Sequence, residues 1–289
     1  MTIPRRLQDC RVTVVGLGLM GGSLAGALRG QCRAVVGVAR RADTVQEASR
    51  QGLVDWGTTD IAEGVRQANV VVLATPVRVI LQQLPEIGSL VPEGCLLLDL
   101  GSTKARIVEE MARLPEHVQP LGGHPMCGKE TSGVEVADPT LYRGCTFILS
   151  PLPRTSEEAL SLGRELAEAV GAHPLVIDAE RQDFLVGTMS HLPYLLACAL
   201  VATADATTSA DPAAWEIVAG GYRDTSRVAG SDVTMMLDIL LTNREQVLAA
   251  VQVYQAQLSS LVRSLEAGDE NRLRESLGFI RQKRREMFP

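Results

Sequence analysis

The chain has 289 residues, of which 46% are hydrophobic and 21% are charged, the balance of an ordinary soluble globular protein. Its length suits two domains, and its formal net charge of -6 argues against nucleic acid as a partner. The N-terminus lacks the apolar stretch of a signal peptide, and no apolar run approaches about 18 residues, so we expect a cytoplasmic protein without a membrane span. The six cysteines show no metal-binding spacing, which indicates reduced thiols and no metal site.

Short, continuous hydrophobic runs alternate with helical patterns along the first part of the chain. These runs predict strands at residues 11–15, 33–38, 69–74, 95–100, 119–121, 145–149 and 173–177. Because the runs are continuous, both faces of each strand need cover, which predicts a parallel sheet between helices. The order of strands and helices is that of a doubly wound α/β fold, so residues 1–177 are predicted to form a Rossmann-like dinucleotide-binding domain.

No strand pattern returns after residue 177, and the remaining sequence has helical spacing only. The predicted helices cover residues 182–203, 235–241, 243–265 and 270–285. We therefore expect an all-α C-terminal domain at residues 178–289. The segment 192–202 is apolar on more than one face, which predicts a homodimer formed through this helical domain. The alternative is a compact monomer whose helices cover one another.

A glycine-rich G-x-G-x-x-G segment follows the first predicted strand and opens the first predicted helix. It consists of Gly16, Leu17, Gly18, Leu19, Met20 and Gly21. In this context the three glycines allow a tight turn, a close approach of the pyrophosphate to the backbone, and close packing of helix and strand. The helix N-terminus adds a partial positive charge, so the segment predicts binding of a dinucleotide.

Two arginines, Arg40 and Arg41, follow the second strand where NAD enzymes usually carry an acidic residue. Since a guanidinium pairs well with a 2′-phosphate, we expect NADP rather than NAD. The alternatives are that both arginines are ordinary loop charges, or that Asp43 replaces the missing acid, although its position favours an N-cap. Thr75 and Pro76 end the third strand and are predicted to border the cofactor crevice, unless Pro76 merely terminates the strand.

Two polar segments carry the candidate chemistry. Ser102 lies between a predicted strand and helix, where it either caps the helix or contributes to the site. His124 lies in a glycine-rich segment that we predict to be a loop beside the crevice. Histidine is the side chain best suited to proton transfer near neutral pH, so His124 is the candidate general base.

The sequence resembles the prephenate and arogenate dehydrogenases of tyrosine synthesis over nearly its whole length. Five motifs in the expected order carry the resemblance, at residues 16–24, 99–104, 122–133, 190–194 and 221–229. The resemblance implies oxidative decarboxylation of arogenate or prephenate, with hydride transfer to the nicotinamide of the cofactor. It also implies that His124 is the catalytic base, that Ser102 orients it, and that Arg227 binds a substrate carboxylate.

The resemblance further places His191 on a helix facing the substrate cleft. Tyr194 stands where some prephenate-using members carry a second histidine, which leaves the choice between arogenate and prephenate open. Glu130 matches an acidic position near the cleft and is predicted to bind substrate, and Asp224 is a second acid of this kind. Lys129 is either a substrate contact or a surface residue.

A related enzyme class, the NAD(P)-dependent 3-hydroxyacid dehydrogenases, shares the glycine-rich start and a helical second domain. Those enzymes need a catalytic lysine in the helical half, whereas the only lysine after Lys129 in this chain is Lys283, near its C-terminal end. A noncatalytic NADP-binding regulator is a further alternative, but it gives no reason for His124, Ser102 and Arg227 to occur together.

Overall fold

A computed structural model describes residues 6–129 and 131–288 of the chain. These residues form two compact units, of which one ends at Asn243 and the other begins at Arg244. All strands belong to the first unit, and the chain is helical from residue 179 onward except for turns. The prediction of an α/β N-terminal part followed by an all-α part is therefore confirmed.

The first unit is built on one eight-stranded sheet with the order β3-β2-β1-β4-β5-β6-β7-β8. Its strands are β1 (Arg11–Val15), β2 (Ala34–Val38), β3 (Trp56–Thr58), β4 (Val70–Leu73), β5 (Leu96–Asp99), β6 (Gln119–Pro125), β7 (Thr146–Pro151) and β8 (His173–Val176). Every pairing is parallel except that of β6 with β7, which is antiparallel. The predicted parallel sheet is thus correct apart from this one pair, and the sequence analysis missed the short β3.

Both faces of the sheet are covered by helices, which explains why its central strands are hydrophobic throughout. Every residue of β4 and β5 is buried. The helices of this α/β part are α1 (Leu19–Leu28), α2 (Ala42–Arg50), α3 (Ile61–Val65), α4 (Val77–Leu90), α5 (Ala105–Ala112) and α6 (Glu157–Ala169). One apolar core contains residues of α1 and α6, and a second contains residues of α4 and α5.

The beginning of α2 differs from the sequence expectation. The N-cap of this helix is Arg41, and no side chain caps it. Asp43 therefore lies in the first turn and is not the N-cap, although its negative charge is still favourable beside the N-terminal end of the helix dipole.

The helical part continues without strands after β8. Its helices are α7 (Ala179–Val186), α8 (Leu192–Thr208), α9 (Gly220–Ser226), α10 (Val233–Thr242), α11 (Arg244–Glu266) and α12 (Glu270–Met287). A five-residue π-helical turn, Gly187–His191, joins α7 to α8, so residues Ala179–Thr208 form one continuous helical stretch. In the second unit, α11 and α12 pack against each other and are joined through Gly268, whose φ is +61°.

The stretch Ala179–Thr208 is long and apolar enough to cross a membrane by its length and composition alone. The sequence analysis did not identify this stretch, and the expected absence of a membrane span stays a prediction. Only 22% of its most apolar window is buried. An exposed apolar helix face of this kind also suits a protein–protein interface.

Candidate active site

The glycine-rich turn between β1 and α1 has the shape of a phosphate-binding cradle. Gly16 has a φ of +100°, and a Cβ at Gly21 would lie 1.8 Å from the Gly16 carbonyl oxygen, so only glycine lets α1 pack this closely on the turn. A Cβ at Gly18 would meet no atom within 4 Å, so this backbone position faces open space. No side chain caps the N-terminus of α1, whose amides are available to an anion. These features fit a bound pyrophosphate.

The other residues of the turn serve mainly to pack it. Leu17 and Leu19 are buried. The carbonyl oxygen of Met20 accepts a hydrogen bond of 2.8 Å from the hydroxyl of Tyr142, a fully buried side chain. The turn is therefore held by apolar contacts and one buried hydrogen bond, while Gly16 and Gly18 are half-buried at its surface.

Four further residues lie where β2 and β4, the two parallel strands that flank β1, end. Arg40 and Arg41 are exposed just beyond β2. Thr75 follows β4 and donates a hydrogen bond of 2.8 Å to the side chain of Gln83. Pro76 is the exposed N-cap of α4. Because ligands of doubly wound sheets bind at the carboxyl ends of the strands, these residues border the expected crevice.

His124 lies on β6 rather than in a loop, so the predicted loop location is wrong. It is paired with Ile148 of β7, and only 7% of the residue is exposed. Its Nδ1 atom is buried and has no hydrogen-bond partner among the described residues. Burial, together with the nearby Lys104 and His191, lowers the pKa of His124 to about 3. The imidazole is therefore neutral at pH 7 and keeps an unsatisfied polar atom in the interior.

A fully buried ion pair between Asp99 and Lys104 lies near enough to this histidine for Lys104 to influence it electrostatically. The Asp99 carboxylate also accepts hydrogen bonds from the amides of Gly101, at 2.7 Å, and Gly123, at 3.0 Å. Gly123 precedes His124 in β6, so one carboxylate joins the end of β5, the following loop and the strand that carries His124. Burial raises the pKa of Asp99 and lowers that of Lys104, while their mutual attraction opposes both shifts.

The N-terminus of α5 is capped from α7, not by Ser102. The two carboxylate oxygens of Asp183 accept hydrogen bonds from the amides of Lys104, at 2.6 Å, and Ala105, at 2.9 Å. The helix-capping interpretation of Ser102 is therefore wrong. Ser102 is half-buried next to this cap, and no hydrogen bond joins it to Nδ1 of His124, so its orienting role stays a prediction.

His191 ends the π-helical turn and is almost completely buried. Its Nδ1 lies 3.2 Å from Nδ2 of Asn243, and the same Nδ2 donates a hydrogen bond of 2.8 Å to the carbonyl oxygen of Asp183. Burial lowers the pKa of His191 to about 4. The electrostatic influence of His191 on His124 means that the site contains two neighbouring imidazoles, both neutral at pH 7.

The remaining predicted substrate residues lie on the helical part. Tyr194 is half-buried on α8, and its pKa is raised by burial and by a hydrogen bond with Cys198. Arg227 is exposed at the start of a short 3₁₀ turn, Arg227–Gly230, that packs against α8. Their roles in substrate binding remain predictions.

Three charged residues were considered as substrate contacts in the sequence analysis, namely Lys129, Glu130 and Asp224. Glu130 lies outside the described residues. Lys129 forms an ion pair of 3.0 Å with Asp138. Asp224 is exposed on α9.

Sequence reasoning missed most of the polar framework of the site. Asp99 and Lys104 belong to a motif that it identified, but it assigned chemistry only to Ser102. Asp183 and Asn243 gave no sequence signal, because they lie 79 and 52 positions from their partners Lys104 and His191.

Two further contacts join the α/β part to α10. Arg78 forms an ion pair with Asp238, and its amide donates to the same carboxylate at 3.2 Å. Thr103 shares a buried hydrogen bond of 2.8 Å with Thr242. These contacts hold α10 beside the crevice.

The fold and the site define a dinucleotide-binding α/β protein with a buried, neutral histidine beside the crevice. The residues described here contain no cluster of three or more histidine, cysteine or acidic side chains suited to a metal ion.

Comparison with known proteins identifies the family. Residues 24–176 match the family model for the nucleotide-binding domain of prephenate dehydrogenase, and residues 178–279 match the model for its dimerization domain. The chain belongs to the prephenate dehydrogenase family.

Individual relatives agree with this assignment. The chain is 30% identical to a prephenate dehydrogenase of Bacillus subtilis over 91% of this chain and 72% of that protein. It is similar to the crystal structure of prephenate dehydrogenase from A. aeolicus with hydroxyphenyl propionate and NAD+, with 32% identity, a TM-score of 0.89, and coverage of 96% and 98% of the two chains. Arogenate dehydrogenase from Synechocystis is 28% identical, with a TM-score of 0.83 and coverage of 96% and 99%.

The buried His124 predicts a pH dependence of stability. An unfolded histidine has a pKa of 6.5, whereas that of folded His124 is lowered to about 3. Between these values the unfolded chain binds a proton that the folded chain does not. The contribution of His124 to the free energy of unfolding is therefore complete above pH 6.5 and falls as the pH drops toward 3. We expect the urea midpoint of the wild type to fall more steeply from pH 7 to pH 5 than that of His124→Asn.

The matched control is His173→Asn, which removes an exposed histidine on β8. Its midpoint is expected to follow that of the wild type. Equal slopes for His124→Asn and the wild type would contradict the buried neutral state.

Proposed function

We propose that the protein catalyses oxidative decarboxylation of arogenate or prephenate to tyrosine or 4-hydroxyphenylpyruvate, with NADP as hydride acceptor. The observation that carries the proposal is the unsatisfied Nδ1 of His124, buried at the carboxyl edge of a dinucleotide-binding sheet. An orphaned buried polar atom is costly, so its retention at this position favours a partner supplied by a ligand. Membership in the prephenate dehydrogenase family supports the reaction type.

Three side chains have roles in the proposed mechanism. His124, neutral at pH 7, accepts the proton of the substrate ring hydroxyl, for which only the unprotonated imidazole is competent. A bound nicotinamide would supply the acceptor for the hydride from the carbon that bears this hydroxyl. The ring carboxylate then leaves as carbon dioxide and the ring becomes aromatic, which makes the reaction strongly downhill. Ser102 is proposed to orient His124, and Arg227 to pair with a substrate carboxylate.

The cofactor is proposed to be NADP rather than NAD. The glycines of the turn and the uncapped N-terminus of α1 would hold the pyrophosphate. Arg40 and Arg41 are exposed at the end of β2, where a guanidinium suits a 2′-phosphate. The similar structure from A. aeolicus contains NAD+, so this preference distinguishes our proposal from that relative.

The substrate is left as arogenate or prephenate, because similar proteins bear both names. The two compounds differ at the side chain, which is an amino acid in arogenate and a keto acid in prephenate. His191, Tyr194 and Glu130 are proposed to contact the substrate.

We further propose that two copies of the protein form a homodimer through their helical parts. Residues 178–279 of this part are also proposed to complete the substrate site. The match of this region to a dimerization domain supports the proposal. The exposed apolar surface of Ala179–Thr208 supports it as well, because a second protomer would cover that surface. We propose a cytoplasmic location for such a biosynthetic enzyme.

The reaction is tested by following reduced nicotinamide absorbance with arogenate or prephenate, each combined with NADP or NAD. We expect turnover that is fastest with NADP. His124→Asn is expected to lower kcat by about 10²–10⁴ without weakening NADP binding, since a general base contributes this much. Absence of turnover in all four mixtures, from wild-type protein that is folded and binds NADP, would overturn the proposed function.

Arg227→Ala is expected to raise the KM for the substrate by about 10- to 100-fold, because it removes a charge-assisted hydrogen bond. The KM for NADP should change little. Arg223→Ala, on the neighbouring α9, is the matched control. Equal losses for substrate and NADP would mean that Arg227 acts structurally.

The double substitution of Arg40 and Arg41 by alanine is expected to raise the KM for NADP by about tenfold or more and leave that for NAD nearly constant. The measurement is the ratio of kcat/KM for the two cofactors. An unchanged ratio would show that these arginines are ordinary surface charges.

A further inference from the structure

The amide group of Asn243 has an orientation that its surroundings dictate. Nδ2 lies 2.8 Å from the carbonyl oxygen of Asp183, an atom that can only accept a hydrogen bond. The nitrogen of the amide must therefore face Asp183. The opposite orientation would bring two oxygen acceptors together in the interior.

This orientation fixes the position of the proton on His191. The same Nδ2 lies 3.2 Å from Nδ1 of the imidazole and is a donor, so Nδ1 must be the acceptor. A neutral imidazole carries one proton, which then lies on Nε2. Among the described residues the imidazole of His191 makes its hydrogen bond through Nδ1, so Nε2 is left as a donor available to a ligand.

We infer that Asn243 is a positioning residue that holds His191 as the Nε2–H tautomer, so that this side chain donates a hydrogen bond to an oxygen of the substrate. The inference rests on the proposed function only for the nature of the ligand. Beside His124, which accepts a proton, His191 supplies the opposite capacity, so the two neutral imidazoles have complementary roles. A neutral N–H donor suits a carboxylate or carbonyl oxygen and disfavours an ammonium group.

Substitutions of Asn243 should change the protonation of His191, which a purely structural role of Asn243 would not do. Of the titratable groups near His191, His124 on β6 interacts with it electrostatically, and Asp183 on α7 shares the amide nitrogen of Asn243 with it. In Asn243→Asp, a carboxylate would accept from Nδ1 and favour the cationic ring. In Asn243→Leu, the ring would lose its fixed tautomer at similar side-chain volume.

The tautomer is measured directly by two-bond ¹H–¹⁵N spectra of protein labelled with ¹⁵N-histidine, without any ligand. The chain has only four histidines, which single substitutions assign. We expect the Nε2–H pattern for His191 in the wild type, a mixture of tautomers in Asn243→Leu, and protonated Nδ1 with a pKa raised by about 1–3 units in Asn243→Asp. Nδ1–H in the wild type would overturn the inference, and this measurement remains decisive if either variant fails to fold.

The functional part is measured with prephenate or arogenate and NADP. Asn243→Leu is expected to raise the substrate KM by about tenfold while NADP binding is retained, since one buried hydrogen bond loses its fixed geometry. Thr242→Val is the matched control, because it removes the adjacent buried hydrogen bond to Thr103 and should leave the His191 spectrum unchanged. A tautomer shift in Thr242→Val equal to that in Asn243→Leu would overturn the specific role of Asn243. An Nε2–H spectrum without turnover of either substrate would contradict the proposed function alone.

Discussion

The site depends on the carboxylate of Asp99. This one group binds the ammonium of Lys104 and the amides of Gly101 and Gly123, so it fixes the loop after β5 and the end of β6 relative to each other. Two fully buried charges are costly unless they are paired and hydrogen-bonded. Here every partner lies in a segment that carries a candidate functional residue. The ion pair therefore contributes to the geometry of the site more clearly than to stability.

The electrostatic state of the two histidines follows from this arrangement. Burial favours their neutral forms, and the positive charge of Lys104 makes a second positive charge at His124 less favourable. Neutral imidazoles keep both acceptor and donor atoms, whereas imidazolium has only donors. The proposed reaction, in which one proton leaves a hydroxyl and oxygen atoms are bound nearby, requires both capacities.

Local patterns predicted the parts of the structure that local interactions determine. The glycine-rich turn followed β1 as expected, and hydrophobic runs identified seven of the eight strands. The run at β6 was too short in the prediction, because Gly122, Gly123 and Pro125 are typical of loops, so His124 was assigned to a loop. The antiparallel pairing of β7 with β6 and the contacts of Asp183 and Asn243 arise from long-range packing, which residue spacing does not encode. The framework of the site was missed for that reason.

The cap that Asp183 provides for α5 also affects how the chain folds. The first amides of α5, which follow the strand end bearing Asp99, find their acceptors only on α7, beyond the last strand. A chain ending after β8 would leave these amides without that acceptor. Residues 178–243 therefore belong to the same compact unit as the nucleotide-binding fold, although the two family models meet near residue 177.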